Sequence, residues 1–211
     1  MSPSPVRSVK TGSPALNLAV NVYHLLYGED LEDLGRSGIL IENGRVAEIR
    51  SEWYAEADVV GGVALPLPVN SHIHLNDYRA LEHHYGLTLE QYAGFKGLKH
   101  SLITLYKEPV LAPELLNVLA QYAVIVDYQE ISSLCRVYEE LLGEYGVEYY
   151  GLLEYYGILR AQYWDEECLS RALTLCRGLG IGNPLRVPPH AMQYLSEISR
   201  KLTISAHVSV F

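Results

Sequence analysis

The chain has 211 residues, 49% of them apolar and 19% charged, a globular composition with ample material for a core. Sixteen Lys and Arg against 25 Asp and Glu leave a net charge of −9, which argues against nucleic acid as a partner, because that affinity rests on basic side chains neutralising phosphates. Three cysteines without a C-x-x-C argue against a disulfide framework and a cysteine-based zinc site, so a reducing, cytoplasmic location is expected.

Residues 1–14, rich in Pro, Ser and Gly, read as a loose leader. The apolar stretch Ala15–Tyr27 is interrupted by Asn17, Asn21 and His24 and is shorter than the ~20 residues that span a bilayer. No small-residue cleavage pattern comes after it. It reads as a first strand over Leu16–Leu26, and no membrane partner is expected. In Gly38–Arg50, two apolar runs flank Asn43-Gly44, a strong hairpin signal because both central positions of a type I′ turn need φ > 0. A short strand at Asp58–Val60 closes a small all-β unit, residues 1–62.

After Gly61-Gly62 the pattern changes to strands alternating with helices. Val63–Val69 is an apolar run broken by Pro66 and Pro68 and followed by Asn70-Ser71-His72-Ile73-His74-Leu75. Pro113 suits the first position of a helix, with Leu115, Leu116, Leu119 and Tyr122 at helical spacing. Ala123–Asp127 reads as a buried parallel strand, and a helix carrying Leu134, Val137, Tyr138, Leu141 and Leu142 comes next. Then come a strand at Val147–Leu153, a helix with Leu169, Ala172, Leu173 and Cys176, and a short strand near Leu179–Ile181. A helix with Ala191, Tyr194, Leu195 and Ile198 leads to a last strand, Leu202–His207. Such alternation means a parallel sheet covered by helices, either an open doubly wound sheet or a (β/α)8 barrel. No glycine-rich phosphate fingerprint supports the nucleotide-binding form of the former. The latter needs roughly 250 residues, whereas the ~150 after the β unit suffice for about five strand–helix units.

His72 and His74 stand two apart at the end of a strand, so their imidazoles point the same way and can supply two of the three protein ligands usual for a catalytic zinc. Alone the pair is a weak signal, because two partly exposed loop histidines look the same in sequence.

The segment Gly61-Gly62-Val63-Ala64-Leu65-Pro66-Leu67-Pro68-Val69-Asn70-Ser71-His72-Ile73-His74-Leu75 resembles the opening of the amidohydrolase superfamily barrel. Ile39–Ile49 resembles the N-terminal hairpin of the β-sandwich that flanks it. Ala123–Glu130 resembles the second barrel strand, and Ile204-Ser205-Ala206-His207-Val208 the fifth, which ends in a third metal-binding His. The resemblance implies an α/β fold, a partial (β/α)8 TIM-type barrel over residues 63–211 preceded by the β-sandwich-like unit. It implies His72, His74 and His207 as ligands of one divalent metal, zinc or, since imidazoles also suit them, iron or nickel. The implied chemistry is hydrolysis of a non-peptide C–N bond in a small-molecule substrate, a cyclic amide or amine, by water whose pKa the metal lowers toward about 7.

The sequence departs from the family's pattern at three places. Gly178-Leu179-Gly180-Ile181-Gly182, where the fourth strand falls, has no Lys or Glu to bridge two metals, which points to the mononuclear subset. Val210 stands where many of those members carry a proton-shuttling Glu. The chain ends at Phe211, before the strand that carries the family's catalytic Asp. Two alternatives are therefore expected beside the enzyme: a truncated or split-gene half-barrel, inactive until a complementary polypeptide supplies the remaining strands, and a non-enzymatic α/β binding protein.

Other residues carry less. Lys99 and His100 come after the first barrel strand, where substrate contacts are common; His83-His84 lie there too, and unpaired surface histidines are the simpler reading. Asp127 and Glu130 end the second strand, as a solvated pair or as helix-start carboxylates. Cys168 and Cys176 read as core-facing residues of one helix. Tyr149-Tyr150, Tyr155-Tyr156 and the remaining tyrosines read as half-buried rings whose hydroxyls reach solvent. Asp165-Glu166-Glu167 opens a helix and suits its positive end.

Overall fold

A computed structural model describes residues 17–94, 97–105, 108–109, 112–154 and 165–206. The leader, Tyr155-Tyr156 and His207 lie outside the described residues. The chain divides into two compact units, one holding the described residues up to Pro68 and the other those from Val69 onward.

In the first unit β1 (Leu18–Val22) and β2 (His24–Tyr27) replace the single strand expected over Leu16–Leu26. Val22 and Leu25 are both buried, at 3% and 5% exposure. A spacing of three puts them on opposite faces of any one strand, so the chain breaks at Tyr23 to bury both. β3 is Glu32–Asp33, and β4 (Ser37–Glu42) and β5 (Arg45–Arg50) form the expected hairpin. It turns through Asn43 at φ 53° and Gly44 at φ 73°, as the Asn-Gly pair predicts. β6 is Val59–Val60. Val63–Ala64 form β7, paired with β2, and so belong to this unit although the sequence groups them with the strand–helix region. β1 joins the sheet β5-β4-β1-β6 and β2 the sheet β3-β2-β7.

The strands of the second unit are β8 (Val69–Ile73), β9 (Val124–Gln129), β10 (Glu148–Glu154), β11 (Gly178–Ile181) and β12 (Thr203–Ala206). They form a curled, all-parallel sheet in the order β12-β11-β10-β9-β8, half of a barrel. Between β8 and β9 run α1 (Leu89–Ala93), α2 (Leu98–Leu105) and α3 (Pro113–Leu119). Thr88 and Gln91 form a capping box at the start of α1, and Pro113 opens α3 where its missing N–H costs nothing. α4 (Ser132–Gly143), α5 (Glu166–Leu173) and α6 (Pro189–Ile198) come after β9, β10 and β11 in turn. Their apolar faces form the core: Leu134, Tyr138 and Leu142 of α4 pack with Ile125 and Tyr149, and Leu169, Leu173, Ala191 and Leu195 pack with Leu153 and Leu179. Each such leucine contributes ~1.5–3 kcal/mol by leaving water.

The cysteines correct the sequence reading. Cys135 on α4 and Cys176 are joined in a disulfide, Cα to Cα 5.2 Å, although 41 residues separate them. Their meeting depends on α4 packing beside the turn that enters β11, which no local spacing reveals. Cys176 is core-facing as expected but stands beyond the end of α5, and the expectation of a reducing compartment loses its premise.

Candidate metal centre

Parallel pairing brings the C-terminal ends of the strands to one rim. At that rim β8 carries a register shift between Asn70 and Ile73, and the Asn70 side chain accepts a hydrogen bond from the His72 amide at 3.2 Å. The shift sets the strand end that bears the H-x-H pair. The two imidazoles face the same way, ring centroids 5.1 Å apart. His72 is exposed, and its pKa is pushed down, first by partial burial and then by the charge of Lys99, towards the neutral form that ligates metal. His74 is largely buried, its Nδ1 3.6 Å from Glu154 Oε2 at the end of β10.

Glu130 comes directly after β9 on the same rim. One ligand atom each of His74, Glu130 and Glu154 lies within 4.8 Å of the others, a spacing at which one cation reaches all three. Glu130 is 6% exposed and its Oε2 has no hydrogen-bond partner. Burial pushes its pKa up against the opposing pull of Lys99. One imidazole and two carboxylates, one of them with a buried oxygen lacking a donor, form a donor set that fits a divalent metal.

Lys99 sits on α2 with its side chain 6% exposed, and its Nζ lies 3.0 Å from both Asp77 Oδ2 and Glu130 Oε1. Burial works against its charge, but Glu130, then Asp77 and Glu154, outweigh that and raise its pKa. Lys99 therefore stands inside the carboxylate cluster. Neighbouring His100 lies on the same helix, and His83-His84 are exposed at the end of a 3-10 turn over Leu81–His84.

Tyr128 of β9 is one of the chain's 17 tyrosines, and nothing in the sequence sets it apart from the rest. Its ring lies 4.4 Å from that of His72 and 5.5 Å from that of His74, and its hydroxyl is 2.5 Å from Ser205 Oγ on β12. Next to β12 runs β11, where a Cβ on Gly180 would stand 2.5 Å from Tyr128 Cδ1. The glycine that leaves the fourth strand without a bridging residue makes room for this ring.

On the opposite face of β9 lies a buried polar network. Asp127 is fully buried; its Oδ1 accepts from the Leu75 amide at 2.9 Å and its Oδ2 from the Tyr149 hydroxyl at 2.6 Å and Gln129 Nε2 at 3.2 Å. Gln129 in turn accepts from Asn76 Nδ2 and the Ile131 amide, and Tyr138 donates to Asn76 Oδ1. Burial drives the Asp127 pKa up to about 7, with the hydrogen bond from Tyr149 and the others opposing. Asp127 and Glu130 are thus neither solvated nor a pair, since they face opposite sides of the sheet. Tyr149 is likewise buried rather than wetted, because its hydroxyl is taken by Asp127. Through Leu75, this network holds the residue next to His74.

No protein-family model and no curated protein matches the sequence. Solved structures do. An N-isopropylammelide isopropylaminohydrolase from Burkholderia multivorans aligns with a TM-score of 0.54 at 19% identity, over 92% of this chain and 53% of that one. An N-acetyl-D-glucosamine-6-phosphate deacetylase from Mycobacterium smegmatis aligns at 0.54 and 13%, over 90% and 49%. The A. niger ochratoxinase aligns at 0.53 and 14%, over 93% and 56%. The chain shares the fold of these hydrolases. This chain spans about half the length of the solved structures it matches. Among the described residues no helix is long and apolar enough to cross a membrane.

Proposed function

We propose that the chain carries the metal-binding rim of a hydrolase that cleaves non-peptide C–N bonds in small molecules. The observation that supports this most is the convergence of His72, His74, Glu130 and Glu154 at the C-terminal strand ends, the face where barrel enzymes build their sites. In this reading His74, His72 and His207 hold one divalent ion, zinc by preference, with Glu154 and Glu130 as the neighbouring carboxylates. When bound, the ion would supply Lewis acidity that lowers the pKa of a water and polarises the group under attack. Glu154 orients the His74 ring through Nδ1 and Tyr128 fixes the planes of both imidazoles, while Glu130 remains a carboxylate positioned to take a proton. The helix that carries His100 and the exposed face of His72 stand on the substrate side.

A zinc-loaded sample of the chain, assayed for ammonia or amine release from cyclic amides and amino-substituted heterocycles, tests the proposal. Release that disappears in His74→Ala supports it. A chain that retains no metal at all after dialysis overturns it.

A second reading keeps the metal and withholds activity from the chain alone: a half-barrel completed by a complementary polypeptide. It is favoured by the outer edges of β8 and β12, which among the described residues pair with no further strand. Metal binding without turnover, with turnover restored by the missing strands, distinguishes it.

A further inference from the structure

We propose that a second copy of this chain docks on the outer edge of β5, joining two four-stranded sheets into one across a two-fold axis at Ile49. The strand order becomes β6-β1-β4-β5-β5-β4-β1-β6. The proposal is independent of the metal site.

β5 is the last strand of its sheet, and among the described residues it pairs only with β4. Arg45, Val46, Ala47 and Glu48 are exposed, Ile49 and Arg50 half-buried. Such an edge aims backbone N–H and C=O groups at solvent and is a template for another strand unless a bulge or charged side chains guard it. β5 has both. Ala47 is the extra residue of a bulge, between Val46, which stands opposite Ile41, and Glu48, opposite Leu40. The regular stretch therefore begins at Glu48.

The charges decide what that stretch accepts. Two antiparallel copies of one strand are related by a two-fold axis normal to the sheet, so each side chain meets one from the same face. Centred on Glu48, the pairing sets two glutamates opposite each other. Centred on Arg50, it opposes two arginines and also Glu48 with Glu52. Centred on Ala47, it runs through the bulge. Centred on Ile49, it places Glu48 opposite Arg50 of the second copy and Arg50 opposite Glu48 of the second copy, two attractive pairs in one contact.

Both side chains are already held in place for this. The Tyr54 hydroxyl donates to Glu48 Oε2 at 2.8 Å, and the Arg50 guanidinium lies 3.3 Å from the centre of the Tyr54 ring while its Nε donates to the Glu52 carbonyl. Glu48 Oε1 and the terminal nitrogens of Arg50 are the atoms offered to the second copy, and little side-chain entropy is left to lose. Ile49 lines the apolar cavity of this unit with Ile39 and Ile41, and on the axis it meets its own counterpart. A ladder of about five residues per copy buries less than the ~1,000 Å² of a stable interface, so the dimer is weak, with a Kd in the micromolar range.

Sedimentation equilibrium of the full chain at about 100 μM tests this, and a monomer–dimer equilibrium is expected whose Kd rises several-fold between about 50 mM and about 500 mM salt. Glu48→Arg and Arg50→Glu each turn both attractive pairs into repulsive ones, and each alone should raise the Kd at least about 10-fold. An equimolar mixture of the two variants should dimerise like the wild type, because the arginines of one then face the glutamates of the other. Melting curves show that each variant is folded. A monomeric wild type, a dimer that neither folded variant weakens, or a mixture of folded variants no more associated than its parts overturns the proposal. The salt series needs no variant, so a dimer indifferent to salt overturns it even where a variant fails to fold.

Discussion

The two faces of β9 solve the problem of burying polar groups in opposite ways. On the helix side, Asp127, Gln129, Asn76, Tyr138 and Tyr149 satisfy one another and two backbone amides, so the face is closed and holds its geometry without help. On the rim side, Asp77 and Glu130 gather on Lys99, Glu154 stands against His74, and Glu130 keeps a buried oxygen without a donor. A closed network is what a scaffold needs; a buried acceptor still without a donor is what a ligand site offers. The difference assigns the first face to stability and the second to binding, and each assignment can be broken separately.

The largest effect belongs to Asp127. Its folded pKa of about 7 lies above the ordinary carboxyl value of 3.8, so the folded state holds its proton over a range where the unfolded chain has lost it. The stability this confers is complete below about pH 4, declines as pH rises and is gone above about pH 7. Relative to Asp127→Asn, the wild type should lose up to about 4 kcal/mol across that window, read from urea midpoints at several pH values. A difference that does not vary with pH would mean the three donors keep Asp127 ionised. Next comes His74→Ala, which should weaken zinc binding by at least about 100-fold with little change in metal-free stability, measured by competition with a chromophoric chelator. Equal losses of metal and stability would blur the division between the faces.

Tyr149→Phe strips a donor from a fully buried carboxylate and should cost about 1–3 kcal/mol in chemical denaturation while leaving zinc affinity within a few fold. Tyr128→Phe sharpens the comparison from the rim side. It removes the bond to Ser205 at a cost of about 1 kcal/mol, yet keeps the ring against both imidazoles, so the ring resonances of His72 and His74 should move little. Gly180→Ala, which drives a methyl into that ring, should move them markedly.

How much the sequence discloses depends on the range of the interactions. The Asn43-Gly44 turn, the helix opened by Pro113 and the strand–helix alternation from Val124 onward rest on neighbours a few residues apart, and the structure contains them at nearly those bounds. The break at Tyr23 was legible in principle, because Val22 and Leu25 are both apolar at a spacing no single strand buries. At the rim, the H-x-H pair is local and visible. Glu154 and Lys99 gain meaning only when β10 and α2 meet β8, and the Cys135–Cys176 bond only when α4 packs beside the entry to β11. Asp127 did leave a signal: a carboxylate within Val-Ile-Val-Asp, a run that must be buried on both faces, requires partners somewhere in the fold.

The central claim is that imidazoles from distant parts of the chain share one cation, and X-ray absorption at the zinc edge of the loaded full-length chain addresses it most directly. The account predicts imidazole nitrogen in the first coordination sphere at about 2.0–2.1 Å, fitted as three rings in the wild type and fewer in His207→Ala and in His74→Ala. A sphere of oxygen alone, or one unchanged by either substitution, would contradict it.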